Sequence, residues 1–258
     1  MIKARGVGVE RSGRLVLSGV DFSARHGEVT VILGSNGAGK STLLRTLTGD
    51  LKCSSGSVVF AGRRLEAWSV AELARIRAVV PQSSALNFPF QVLEVVLQGR
   101  APHLEGGERM LDEAEAMQAL RIVGMEDYAG RDYTTLSGGE RQRVHVARAF
   151  AQIGADPVGR CLLLDEPTAN LDLKYQHEIL RLVAMFARAG GCAVVVLHDL
   201  NLAVRYADRV VILKCGHLLA AGDAGAAMIP EMLSAAYGIP VFESTLPTTG
   251  GRFFVVRE

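Results

Sequence analysis

The chain reads as an α/β protein with a mostly parallel sheet, an N-terminal antiparallel β subdomain and an inserted helical subdomain. Three observations lead there. Short apolar, β-branched runs recur without polar alternation, as in strands buried on both faces. Segments of helical periodicity lie between them. A glycine-rich loop, residues 34–41, joins one such run directly to a helix, the arrangement of a phosphate-binding strand–loop–helix unit. With 258 residues, 49% of them apolar and 21% charged, the chain suits one large domain carrying a modest insertion.

The elements follow in chain order. Residues 14–32 are expected to form antiparallel strands joined by a turn at His26-Gly27. VTVIL (29–33) is the buried strand before the glycine loop, and STLLRTLTG (41–49) the helix after it, ending at Gly49 as a C′ glycine. Val79-Val80 before Pro81 closes another strand. From about residue 84 to 150 helix outweighs strand, which assigns that stretch to the helical subdomain and about 1–83 and 151–258 to the core. Within it, Leu111, Ala114, Met117 and Leu120 recur in ERMLDEAEAMQALRIVGM and read as a packing stripe. In RQRVHVARAFAQI (141–153), Val144, Ala147 and Ile153 fall near one face. CLLL (161–164), AVVVL (193–197) and RVVIL (209–213) are further buried strands, and KCGHL (214–218) is a hairpin turn. From about 222 onward an accessory helix and a terminal strand are expected to pack on the core, with no legible chemistry.

Composition excludes several classes. A net charge of +1 gives no electrostatic argument for a nucleic-acid partner, so none is expected. Cys53, Cys161, Cys192 and Cys215 form no CxxC pair, which argues against a zinc site or structural disulfides and for a reducing compartment. The N-terminal residues hold no apolar secretory core, and no run approaches the ~20 residues of a spanning helix. Work at a membrane would therefore pass through another subunit.

The chemistry sits in two constellations. Gly34, Ser35, Asn36, Gly37, Ala38, Gly39, Lys40, Ser41 and Thr42 contain G-x-x-x-x-G-K-[ST] between a strand and a helix. The glycines let backbone N–H groups curl round phosphates, and the helix adds its positive end. Lys40 is placed for the β- and γ-phosphates of ATP, and Ser41 for Mg²⁺. CLLLDE (161–166) is an apolar strand ending in two acids. Taken alone, such a pair is more often the start of a loop. Beside a phosphate loop, Asp165 can hold Mg²⁺ through water, while Glu166 is placed to polarise an attacking water.

A third motif narrows the reading. LSGGE, residues 136–140, puts Ser137 and the glycines Gly138 and Gly139 at the mouth of a helix starting near Glu140, a second anion cradle. In order, GSNGAGKS, Gln82 in VVPQ, LSGGERQR, CLLLDEPT, NLD (170–172) and His198 in VVVLHD resemble the ATP-binding-cassette (ABC) family over nearly the whole chain. That resemblance implies an ABC ATPase core and a head-to-tail homodimer sandwiching two ATP molecules. Each would lie between one glycine loop and the opposite chain's Leu136, Ser137, Gly138, Gly139 and Glu140. It further implies that Gln82 senses Mg²⁺ and the attacking water, that His198 bonds the γ-phosphate, and that Asp172 communicates across the dimer. The family's base-stacking aromatic is missing from Val9-Glu10-Arg11, where the Arg11 guanidinium plane is the available substitute.

Among ABC proteins, DNA-repair relatives carry a long coiled coil between glycine loop and LSGGE, and ribosome-associated ones fuse two cassettes; neither feature is present. Glu166 and His198 argue against a non-hydrolysing switch. The single cassette looks like the ATPase of a bacterial importer, on the cytoplasmic face of the inner membrane and held there by two permease subunits. Residues 83–103, 171–180 and the insertion QIGADPVGR are similar to haem-importing cassettes of the vitamin B12 and iron-siderophore group, with ferric siderophore and cobalamin as alternatives. A periplasmic haem-binding protein would complete the complex. His103, His145 and His177 read as surface or packing residues rather than iron ligands.

Overall fold

A computed structural model of the chain describes residues 1–82, 88–106, 109–248 and 250–256. Strands β1 (Ile2–Arg11) and β2 (Arg14–Ala24) form an antiparallel ribbon turning at Ser12-Gly13, both at positive φ. They join β4 (Ser55–Phe60) and β5 (Arg63–Arg64) in a sheet of order β2-β1-β4-β5. Strand β3 (Val29–Leu33) does not continue that ribbon. It lies in a second sheet, parallel to and between β8 (Cys192–Val196) and β9 (Arg209–Lys214). The antiparallel pairing expected across 14–32 is thus corrected: His26-Gly27 carries the chain from one sheet to the other. Every residue of β3 is buried, so both its edges and both its faces need partners, which an edge of the half-exposed ribbon cannot supply.

The second sheet runs β10-β9-β3-β8-β7-β6, with β6 (Arg77–Val80), β7 (Cys161–Asp165) and β10 (His217–Asp223). All its pairings are parallel except the β9–β10 hairpin, which turns at Cys215-Gly216 as KCGHL predicted. Side-chain alternation divides β3 between two cores. Val29, Val31 and Leu33 face one, and Ile32 faces the other together with Leu43, Leu44 and Leu47 of α1 (Lys40–Thr48). Helix α1 is therefore clamped between the two sheets, and the glycine loop before it starts from a rigid base.

The helical part comprises α3 (Val92–Leu97), a 3₁₀ stretch Gln98–Gly106, α4 (Arg109–Ile122) and α5 (Gly138–Ile153); α2 (Val70–Ile76) precedes β6. Val144, Ala147 and Ile153 are all buried, as expected. The α4 stripe is corrected. Leu111 and Ala114 are exposed, and the buried face is Asp112, Ala116, Ala119 and Leu120. A strict spacing of three walks round the helix: at ~100° per residue, Leu111 and Leu120 stand about half a turn apart. Asp112 can turn inward because Arg100 Nε donates to its Oδ1 at 2.8 Å.

Helix α6 (Leu173–Arg188) covers the sheet, and α7 (Leu200–Tyr206) follows β8. Beyond β10 the chain forms two short helices, α8 (Ala224–Ala227) and α9 (Pro230–Tyr237), and an antiparallel hairpin of β11 (Val241–Thr245) and β12 (Arg252–Val256), rather than one helix and one strand. No described helix is long and apolar enough to cross a membrane.

Candidate active site

The glycine loop leaves the C-terminal end of β3, central in its sheet, with Gly34 at φ 144°, Gly37 at 77° and Gly39 at 101°. A Cβ on Gly34 would stand 2.4 Å from the Leu213 carbonyl oxygen, and one on Gly39 2.7 Å from Leu17 Cδ2. Both positions need glycine for conformation and for space. Gly39 caps α1 without a side-chain hydrogen bond, and the first turn holds no acid. The N–H groups at that end are thus presented to an anion.

Lys40 is buried and donates to the Gly34 and Ser35 carbonyls at 2.8 and 3.0 Å, which fixes the loop around its own lysine. Burial pushes the ammonium's pKa down, and the Glu166 and Asp165 carboxylates oppose that shift. Ser41 Oγ donates to Asp165 Oδ1 at 3.1 Å. Asp165 ends β7 and is itself buried, which drives its pKa upward against the pull of the Ser41 hydroxyl, with Glu166 pushing the same way. Hydroxyl and carboxylate oxygens at this separation, with an acid whose charge lacks full compensation, are the hard donors a Mg²⁺ ion takes.

Glu166 has φ 51°, an uncommon conformation for a non-glycine residue, and its N–H bonds Val196 O at 3.2 Å. Its carboxylate is bonded from both sides. Gln82 Nε2 donates to Oε2 at 2.7 Å, and His198 Nε2 donates to Oε1 at 2.5 Å. Gln82 follows β6 and His198 follows β8, so strands on either side of β7 deliver the two partners. Glu166 borders a hollow of about 300 Å³ shared with Asn36, Lys40, Ser41, Thr42 and Gln82, and another of about 210 Å³ shared with Asn170 and His198. Six expected residues therefore converge: Lys40, Ser41, Gln82, Asp165, Glu166 and His198.

LSGGE lies apart. Helix α5 starts at Gly138, two residues before the expected start, because Ser137 is its N-cap. Ser137 Oγ accepts from Glu140 N at 3.3 Å and Glu140 Oε2 accepts from Ser137 N at 2.8 Å, a capping box. Those backbone and hydroxyl donors hold the Glu140 carboxyl below its ordinary pKa. Leu136 anchors the turn in the core while Ser137 and Gly138 face solvent. Among the described residues no hydrogen bond joins 136–140 to the glycine loop. The motif instead meets the NLD turn: a Cβ on Gly139 would lie 3.1 Å from Leu171 Cδ2 and 3.2 Å from Asn170 O. Asp172, N-cap of α6, is exposed and makes no capping bond.

The histidines set aside as packing residues are so placed. His103 bonds Gln152 O at 2.8 Å, His177 bonds Tyr206 OH at 2.9 Å, and His145 bonds the buried Tyr133 hydroxyl at 2.7 Å. All four cysteines are free. Val9 is fully buried and offers a base no surface, whereas Val16 lines the phosphate-side hollow. Sequence reasoning missed Val16, for nothing in RLVLSGV marks it. It also missed the Tyr237 hydroxyl, which accepts from Gly34 N at 3.4 Å from more than 200 residues away.

A profile described as ABC transporter matches residues 17–169. The chain belongs to the ABC transporter family. Among relatives of this ABC cassette, a Gloeobacter violaceus protein described as a hemin import ATP-binding protein, HmuV, is 48% identical over 97% of the chain and 92% of its own length. A Pseudomonas aeruginosa protein of the same description is 44% identical over 100% of both. Of solved structures, a metal-chelate-type ABC transporter in an inward-facing conformation superposes with a TM-score of 0.84 at 29% identity, over 100% of the chain and 97% of the other. A bacterial ABC transporter cassette solved as a dimer gives 0.74 at 29% identity, over 87% and 99%.

Proposed function

We propose that this ABC cassette is the ATP-hydrolysing subunit of a bacterial haem importer, a homodimer held on the cytoplasmic face of the inner membrane by two permease subunits. A periplasmic haem-binding protein would deliver cargo from the far side. The observation that carries the catalytic reading is the bonding of Glu166 to both Gln82 and His198 beside an open phosphate loop. The haem reading rests on relatives named for hemin import that match the chain over nearly its full length.

The residues take these roles. The loop Gly34, Ser35, Asn36, Gly37, Ala38 and Gly39 would curl round the β- and γ-phosphates, turning to them the backbone N–H groups it does not use itself, joined by Lys40 and the N–H groups of Ser41 and Thr42; the Gly34 N–H stays with Tyr237. The Ser41 hydroxyl and the Gln82 amide oxygen would hold Mg²⁺ directly, with Asp165 acting through water; bound there, the ion neutralises charge growing on the phosphates. Glu166 accepts the proton of the attacking water as general base. His198, now donating to Glu166, would turn its N–H to the γ-phosphate. Leu136, Ser137, Gly138, Gly139 and Glu140 act in trans, since one chain keeps them away from its own loop, and Asp172 lies at the junction with the second copy. Closure follows from ATP contacting both copies only when they meet, which is differential binding to the closed state. Residues about 1–83 and 151–258 would move as the core and about 84–150 as the helical subdomain. Residues 83–100 would receive a permease helix; of these, 83–87 lie outside the described residues, and Phe88 at 67% exposure stands at the near end.

Two measurements test this. Glu166→Gln should cut turnover at least ~10²-fold while retaining ATP and accumulating dimer on gel filtration. Normal turnover in that variant removes Glu166 as the base. Reconstituted with its permease, the cassette should turn over ATP faster when haem-loaded binding protein is added. Stimulation by ferric siderophore or cobalamin, and not by haem, overturns the choice of cargo.

A further inference from the structure

We propose that α9 and the β11–β12 pair form a brace that sets both loops facing the γ-phosphate, with Asn201 and Tyr237 as its positioning residues. At one end, Tyr237 closes α9 and its hydroxyl accepts from the N–H of Gly34, the residue that opens the glycine loop and whose carbonyl receives Lys40. At the other end, Asn201 sits in the first turn of α7, three residues after His198. Its side chain makes a reciprocal pair with one backbone position: Nδ2 donates to Phe254 O at 3.2 Å, and Phe254 N donates to Oδ1 at 2.7 Å. The Asp199 side chain accepts from Asn201 N and Leu202 N at 2.7 and 3.0 Å, so the turn carrying His198 is stiff as far as Asn201.

The two ends are mechanically continuous. Val241 N donates to Ser234 Oγ at 2.9 Å, tying β11 to α9. Five registered pairs, from Val241↔Val256 to Thr245↔Arg252, tie β11 to β12. Arg252 bonds Glu243 and also the carbonyls of Gly225 and Met228, which fastens the hairpin to α8. Beside α7, however, the hairpin stands over a cavity of about 950 Å³ bounded by Leu173, Gln176, Leu246 and Phe253. The Asn201–Phe254 pair is a hydrogen-bonded tie between α7 and β12, set beside the core that buried Phe254 shares with Leu202 and Ala203. Truncating the Asn201 side chain should therefore loosen the turn that carries His198 while that apolar core stays closed.

The inference rests on the role given to His198, and a double-mutant cycle in the complete chain separates the two. Steady-state ATP turnover is measured for Asn201→Ala, His198→Ala and the double variant, with thermal unfolding of each as a control. Asn201→Ala should lower kcat on the order of 10-fold with KM for ATP within about twofold, because a displaced catalytic group is felt in the reacting state. In the His198→Ala background the same substitution should have no further effect. Asn201→Asp keeps the acceptor for Phe254 N–H and should recover part of kcat; it carries the same cycle if the alanine variant does not fold. Tyr237→Phe, in a Glu166→Gln background, should weaken ATP binding about threefold. The brace is overturned if Asn201→Ala turns over normally while His198→Ala is slow, or if the two lesions multiply. Normal turnover in His198→Ala overturns the assignment of His198 itself, and the brace with it.

Discussion

Gly34 shows how much one residue can decide. Its φ of 144° and the 2.4 Å approach of the Leu213 carbonyl to any Cβ leave no room for alanine. Gly34→Ala should cost about 1–3 kcal/mol in a urea titration and lower nucleotide affinity together with it, since the strained backbone opens the proposed phosphate cradle. Lys40→Ala should weigh more on affinity than on stability: affinity falls in a nucleotide titration, while the urea midpoint moves less than for Gly34→Ala, because the glycines set φ and the lysine adds only its two bonds to the Gly34 and Ser35 carbonyls. These residues were legible in the sequence because the chemistry demands fixed residue types at fixed local spacing. Val16, Asn201 and Tyr237 were not, because a valine wall, an amide pairing with Phe254 and a hydroxyl reaching Gly34 become neighbours only after the sheets assemble.

At the scale of elements, capping and buried pairing carry the testable energetics. Ser69 and Glu72 form a capping box on α2, and with Arg63 they lower the Glu72 carboxyl from 4.5 to about 2. A depressed folded pKa stabilises above the unfolded value and loses that contribution as pH falls through the folded one. Wild type should therefore outlast Glu72→Ala in urea above about pH 4.5, and the advantage should vanish near pH 2. The Arg100–Asp112 pair, with side chains 14% and 10% exposed, holds α4 to the 3₁₀ stretch before it. Asp112→Ala should destabilise by about 3 kcal/mol in the same assay, since it leaves a buried guanidinium uncompensated. This pair also explains a misread face. Apolar periodicity pointed to Leu111 and Ala114, and an aspartate cannot announce from sequence that it will be buried. The parallel strands were easier: VTVIL, CLLL and AVVVL are apolar on both faces, so burial on both faces followed. The ribbon was harder, for the Ser12-Gly13 turn sits among polar residues while His26-Gly27 gives an equally good turn signal.

Across the whole molecule, the strand order is what makes the site. Gln82, Asp165–Glu166 and His198 come from the ends of β6, β7 and β8, and the glycine loop from β3, all consecutive neighbours in the sheet. The parallel direction places every one of those C-terminal ends on one edge, where phosphates bind in such sheets. LSGGE opens α5 of the helical part instead, and its Gly139 lies against the NLD turn. Motif order pointed to these residues as a group, but only the assembled sheet shows which of them touch.

Because Lys40 and Ser137 of one chain would serve different nucleotides, lesions at the two positions should complement in mixtures. Chains carrying Lys40→Ala and chains carrying Ser137→Arg would each form inactive dimers by themselves. A mixed dimer would collect both lesions in one site and leave the other whole. With random assortment about half the dimers are mixed, so roughly a quarter of all sites would be intact in a pool built entirely from defective parts.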